Sequence, residues 1–162
     1  MVDDARGRGF ESEDVMKALP AYWKPLNDLI ASYIFNRVDY WTLQASGGSY
    51  AVPPYVQALL EHDNMILIEA VSNKFLVPKL TNQAHQALLF MGWRFFPGNH
   101  YPNYSQILDL GKVTPQEIAI TMVNALHFAY GVNDTFLFEM APALAAEGIV
   151  ITTQGQSLRG KS

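Results

Sequence analysis

Three segments suited to β-structure follow one another within residues 40–71, joined by short links that carry turn residues. Residues 40–45, Tyr-Trp-Thr-Leu-Gln-Ala, fit a pleated surface, with Trp41 and Leu43 on one side and Tyr40 and Thr42 on the other. Ser46-Gly-Gly-Ser49 turns the chain. Pro53-Pro54 must precede the next strand, because neither has an N–H to give to a ladder. That strand therefore starts near Tyr55 and runs to about Glu61. Asp63-Asn64 folds it back onto residues 65–71, where Met65-Ile-Leu-Ile68 is apolar at every position and reads as a strand buried on both faces. Three strands linked this way make an antiparallel meander.

Helical patterns lie on either side of it. In residues 24–38, Leu26, Leu29, Ile30, Tyr33 and Ile34 form one apolar face. Thr81 is placed to cap a helix through Met91, with Ala84, Ala87, Leu88 and Met91 on its apolar side and Gly92 ending it. A strand over residues 93–96, a loop over 97–102 and a strand over 104–110 follow, the last with Tyr104, Gln106, Leu108 and Leu110 on one face. Thr114-Pro-Gln-Glu117 has the form of a capping box with proline at the first helical position, and that helix should run to Tyr130 and stop at Gly131. Ser12 can cap a short helix that Pro20 stops. Residues 135–148 are ambiguous: Phe136, Phe138 and Met140 alternate like a strand, whereas 143–147 favours helix. Residues 152–162 read as a polar tail.

The resulting order, α-β-β-β-α-β-β-α, predicts an α+β fold: an antiparallel sheet of about five strands with helices packed on it. It divides the chain into an N-terminal extension (1–23), an α+β domain (24–131) and a C-terminal extension and tail (132–162). A chain of 162 residues, 49% hydrophobic and 12% aromatic, can fill the core of one such domain. Its net charge of −4 argues against a nucleic-acid partner, which needs a concentrated basic face. Met-Val-Asp-Asp at the start is acidic and does not resemble a signal peptide, and no apolar stretch is long enough to span a membrane. The expectation is a soluble, cytoplasmic protein.

Reactive constellations are hard to find. There is no cysteine, hence neither a disulfide framework nor a thiolate. His62, His85, His100 and His127 show no metal-binding spacing. No Gly-x-Ser-x-Gly elbow is present, and the short glycine pairs are wrongly flanked to hold phosphate. Glu69 and Asp109 are single carboxylates in or at the ends of strands. We therefore expect no catalytic residue, no metal and no cofactor.

The aromatic residues carry more information. Trp93 and Phe95 point to one side of their segment and Phe96 to the other, with Tyr101 and Tyr104 across the loop. Either they line a binding groove, where aromatics are enriched, or an extension of the chain covers them. Phe75 and Leu76 pose the same choice, between a docking edge and a plug at the end of the core.

The stretch Glu69-Ala-Val-Ser-Asn-Lys-Phe-Leu76, with Tyr55-Val-Gln57 before it and Leu88, Gly92-Trp93 and Asn103 after it, resembles a bacterial family of peptide-binding chaperone-like domains. That family is grouped with type III secretion chaperones and YbjN proteins, and the resemblance spans residues 24–131. It implies the same α+β fold, a bacterial chaperone or adaptor that binds another protein or a peptide segment, and no catalytic residues. It does not fix which residues touch the peptide. On physical grounds the expected peptide-binding residues are Phe75, Leu76, Trp93, Phe95 and Tyr104. A homodimer is compatible with this reading. The alternative is a structural accessory subunit, in which the aromatic face would be a permanent interface.

Overall fold

The computed structural model describes residues 19–98, 102–142, 149–151 and 157–159. The short helix expected after Ser12, together with His100 and Tyr101, lies outside them. A 3₁₀ turn, Ala21–Trp23, leads into helix α1 (Lys24–Phe35), with Pro25 in its first turn. Strands β1 (Tyr40–Ser46), β2 (Tyr55–Leu60) and β3 (Met65–Ala70) form the meander. The β2–β3 hairpin turns at Asp63 and Asn64, whose φ values of 59° and 64° are both left-handed, as a two-residue primed turn requires. Helix α2 (Asn82–Phe90) follows, then β4 (Tyr104–Asp109), α3 (Pro115–Asn124) and β5 (Leu137–Pro142). Two short strands, β6 (Ile149–Ile151) and β7 (Ser157–Arg159), complete the order.

All neighbouring strands are antiparallel, in one sheet of order β4-β3-β2-β1-β5-β6-β7. The fold class is the expected α+β arrangement with helices packed on the sheet. One strand is placed differently. Residues 93–96 form no strand; they contribute a single bridge, Arg94 to Ser105. The cause is the end of α2. Gly92, at φ 98°, donates to Leu89 O (3.1 Å), and the Trp93 N–H donates to Leu88 O (3.0 Å), the two bonds of a Schellman motif. The motif commits the Trp93 N–H to the helix and brings Trp93 onto Leu88, and both side chains are buried. Pro97, without an N–H, stops any ladder beyond Phe96.

The sheet is instead extended by β5, which lies on the other side of β1 from Ser46↔Leu137 to Trp41↔Pro142. Phe136, Phe138 and Met140 join the core, as does Trp23 at the other end. The packed unit therefore takes in more of the chain than residues 24–131.

One face of the sheet is covered. Trp41, Leu43, Ala45, Val56, Ala58, Ile66, Ile68, Ala70, Phe138 and Met140 all point into the layer of helices. Tyr33 of α1 meets Trp41 edge-on at 5.9 Å, and Trp23 meets Phe138 at 5.8 Å. The α1 and α3 helices lie against each other, joined by Asn27 Nδ2 donating to Gln116 Oε1 (2.9 Å). The capping box of α3 forms as expected: Thr114 Oγ1 accepts from the Glu117 N–H (3.1 Å), and the Thr114 N–H donates to Glu117 Oε1 (2.8 Å). Past Asn124 the helix widens into a π turn, Ala125–Ala129, in which Tyr130 N–H reaches Ala125 O at 3.2 Å.

That turn fixes two side chains. Tyr130 is buried and its hydroxyl donates to Val71 O at the end of β3, and burial holds its ionisation well above the ordinary tyrosine range. His127 Nδ1 accepts from the Trp23 indole N–H (3.1 Å), tying the start of α1 to the end of α3. Burial holds the imidazole below the ordinary histidine range, against a weaker opposing effect from the Val132 backbone.

Two predictions follow from this packing. Trp93 is 2% exposed and Phe96 48%. Trp93→Ala should cost roughly 3–5 kcal/mol through the cavity it leaves, and Phe96→Ala less than about 0.5 kcal/mol. Thermal melts beside the wild type check this; equal effects would contradict it. The second concerns pH. A depressed histidine pKa means the neutral ring stabilises the fold fully above the unfolded value of 6.5, and that stability is lost as pH falls from there toward the folded value. Urea midpoints measured from about pH 7.5 down to about pH 5 should decline, and His127→Gln, which keeps an acceptor for Trp23, should flatten part of that decline. An unchanged slope in the variant would exclude His127 as its source.

Candidate functional site

Alternation along each strand gives the other face of the sheet a defined set of side chains. The register sets them in rows across the strands. Tyr40 is opposite Leu59, Leu59 opposite Leu67, and Leu67 opposite Ile107, so β1 to β4 each contribute one apolar residue to a single row. The adjacent row is polar: Thr42, Gln57, Glu69 and Ser105. All eight are exposed or half-buried, and among the described residues no helix packs on this side. At ~4.8 Å between strands, the apolar row is roughly 14 Å long. Ile107 is the most open, at 65% exposed.

The rows are joined by hydrogen bonds. Tyr40 Oη (3.0 Å) and Thr42 Oγ1 (3.3 Å) both donate to Gln57 Oε1. Gln57 Nε2 in turn donates to Glu69 Oε1 at 2.5 Å. Tyr40, Gln57, Leu59, Leu67 and Glu69 line a groove of about 230 Å³. Its floor is apolar, and its one charge is a carboxylate held in place by a neighbouring amide.

A second hollow, of about 390 Å³, lies at the β4 edge and is lined by Gly92, Arg94, Phe96, Ser105, Gln106 and Ile107. Ser105 turns its N–H and C=O outward to Arg94 (2.9 and 3.0 Å). By the alternation of an antiparallel ladder, Ile107 two residues on presents its backbone groups to the same free edge. The Gln106 amide nitrogen is buried there without a partner among the described residues.

The five residues expected to bind peptide are not gathered on this face. Leu76, Trp93 and Tyr104 are core, at 1%, 2% and 2% exposure. Tyr104 shares a hydrogen bond with His85 Nδ1 (2.6 Å), and its ring lies 5.0 Å from that of Phe95. Phe95 is half-buried, its ring also edge-on to His85 at 5.9 Å, and Phe75 is partly exposed, with Lys74 Nζ 5.9 Å from its ring. The stretch from Glu69 to Leu76 is mostly a folding element. Ser72 N–H donates to Asn103 Oδ1 (3.2 Å), Asn103 Nδ2 donates to Tyr55 Oη (3.2 Å), and the Leu76 N–H closes back on Ser72 O (3.2 Å) so that Leu76 plugs the core.

The apolar row was missed because the run Met65-Ile-Leu-Ile68 reads as buried on both faces. Only Ile66 and Ile68 are; Met65 and Leu67 lie on the open side. The signal that could have found them is the polar alternation of the neighbours: Thr42, Gln44 and Gln57 mark a face meant for water, and Leu67 shares it.

No group of three or more His, Asp or Glu side chains stands close enough to hold a metal among the described residues, and no helix among them is long and apolar enough to cross a membrane. No curated protein and no solved structure matches the chain. A family model does, over residues 18–142: TY-Chap3, described as T3SS (YopN, CesT) and YbjN peptide-binding chaperone 3. With most of its length matched, including every strand from β1 to β5, the chain belongs to this family of peptide-binding chaperone domains.

Proposed function

We propose that the protein is a non-catalytic chaperone or adaptor of the bacterial cytoplasm that holds an extended segment of another protein against the open face of its sheet. The observation that carries this reading is the apolar row Tyr40–Leu59–Leu67–Ile107, left uncovered on a sheet whose other face is buried along β1, β2, β3 and β5. A strand exposing leucine and isoleucine to water gains nothing for folding, whereas burying that row under a partner is favourable by about 25 cal/mol per Å². The polar row beside it supplies hydrogen-bonding groups, which a peptide backbone or side chains can use. Of the five residues expected to bind peptide, Phe75 and Phe95 retain surface for contact; Leu76, Trp93 and Tyr104 act from within, by holding the sheet end and the α2 junction.

The test pairs the native chain with Leu59→Thr/Ile107→Thr, which keeps strand propensity and removes the apolar contact. Each is used to capture partners from a bacterial lysate, with mass spectrometry as the readout and thermal melts as the folding control. We expect a discrete protein retained by the native chain and released roughly tenfold more readily from the variant, with melts that nearly coincide. Equal retention by both would remove the open face from the binding surface. A native chain that aggregates on a sizing column until a partner is added would favour the accessory-subunit reading instead.

A further inference from the structure

The open face has a charge pattern as well as an apolar row. On β1 to β5 its outward positions carry three carboxylates, Glu69, Asp109 and Glu139, and no lysine or arginine. Among the described residues, no cation stands within ion-pair distance of any of the three. Asp109 is engaged locally, its Oδ1 accepting from the Gly111 N–H (2.8 Å). Glu69 differs, because it stands inside the groove. Leu67 is two residues before it on the same strand, and Leu59 and Gln57 are opposite those two on β2. The four side chains are the corners of a rectangle of roughly 5 by 7 Å, apolar along one short side and polar along the other. One Glu69 oxygen accepts from Gln57; the other has no partner among the described residues.

This geometry suits one kind of side chain. A lysine or arginine has an aliphatic stem that gains by lying on apolar surface and a charged head that must stay hydrogen-bonded. Laid over Leu59 and Leu67, such a stem brings its head to the free oxygen of Glu69. Resting on the reading of this face as a peptide-binding surface, we propose that the groove of Tyr40, Gln57, Leu59, Leu67 and Glu69 is a subsite for a basic residue of the bound segment. The partner is an extended peptide in which a lysine or arginine is flanked by apolar residues that occupy the rest of the row. A second copy of this chain is a poor occupant: a two-fold pairing through this face would set the carboxylates of Glu69, Asp109 and Glu139 against one another, with no lysine or arginine at the outward positions of β1 to β5 and Arg94 standing beyond them at the β4 edge.

Fluorescence anisotropy with defined peptides tests this. The probes are labelled, Gly/Ser-flanked peptides with the core Leu-Ser-Lys-Ser-Leu, and the same peptides with Gln or Glu in place of Lys. The native chain should bind the Lys peptide about threefold to fivefold more tightly than the Gln peptide, and the Glu peptide more weakly than either. Raising the salt to about 0.5 M should shrink the Lys/Gln ratio. Glu69→Gln, isosteric and still able to accept from Gln57, should bring that ratio close to one, and Glu69→Lys should reverse the order of the Lys and Glu peptides. Equal binding of the Lys and Gln peptides by the native chain, or a ratio unchanged in Glu69→Gln, overturns the subsite. If those peptides still bind and Leu59→Thr/Ile107→Thr weakens them, only the basic subsite has failed. If none binds, or that variant changes nothing, the peptide-binding reading of the face falls with it. A dimer of the native chain that Glu69→Lys abolishes would make a second copy the occupant and also overturn the proposal.

Discussion

Two helices laid side by side can bury one face of a broad sheet and not the other. That constraint governs this structure. The pair α1 and α3 lies against Trp41, Leu43, Ile68, Phe138 and their neighbours, and Trp23 and His127 clamp the helices together at one end. The side chains directly beneath the two helices are accordingly apolar and closely packed, since a cavity there costs about 24 cal/mol per Å³. The opposite face is released from that demand. Its composition is free to serve another purpose, and it combines hydroxyl and amide groups, carboxylates and a strip of aliphatic side chains.

The residues most suggestive in the sequence serve the fold more than the surface. Ser72, Asn103 and Tyr55 form a chain of hydrogen bonds that closes the end of β3, and Asn73 Oδ1 accepts from the Leu80 N–H at 2.6 Å to hold the loop that leads to α2. Buried amides and hydroxyls are costly unless paired, and pairing them in this way allows one geometry only. A family resemblance concentrated in such residues therefore identifies an architecture. The open face that we propose as the binding surface is built from residues with no distinctive pattern of their own.

How much could be read in advance depends on whether a signal was local. The capping box at Thr114, the left-handed pair Asp63-Asn64, the Gly92 terminus and the limits of β1, β2 and β3 are each decided within four or five residues, and each is present. The role of Trp93 turned on a Schellman pair of bonds, which a glycine announces without saying where the next side chain will go. The alternation Phe136, Phe138, Met140 was visible, but β5 is central only because β1 leaves an edge for it, which is a tertiary fact. The π turn after Asn124 has no sequence mark at all; Gly131 ends the helix in either form. The open face was hidden for a related reason. In Met65-Ile-Leu-Ile68 both sides of the strand have the same chemistry, so the strand by itself does not reveal that one side is bare; the neighbouring strands and the number of helices available to cover the sheet do.

The placement of β5 has a consequence for how the chain is made. Strand β1 is complete once Ser46 has been synthesised, yet the strand that pairs with its second edge begins at Leu137. Through most of translation β1 is an open edge, with Tyr40, Trp41 and Leu43 beside a row of unpaired backbone donors and acceptors. A nascent chain in that state is itself a template for strand addition, and it is closed only when nearly the whole domain has left the ribosome. A domain of this design thus closes its central edge with the last of its long strands.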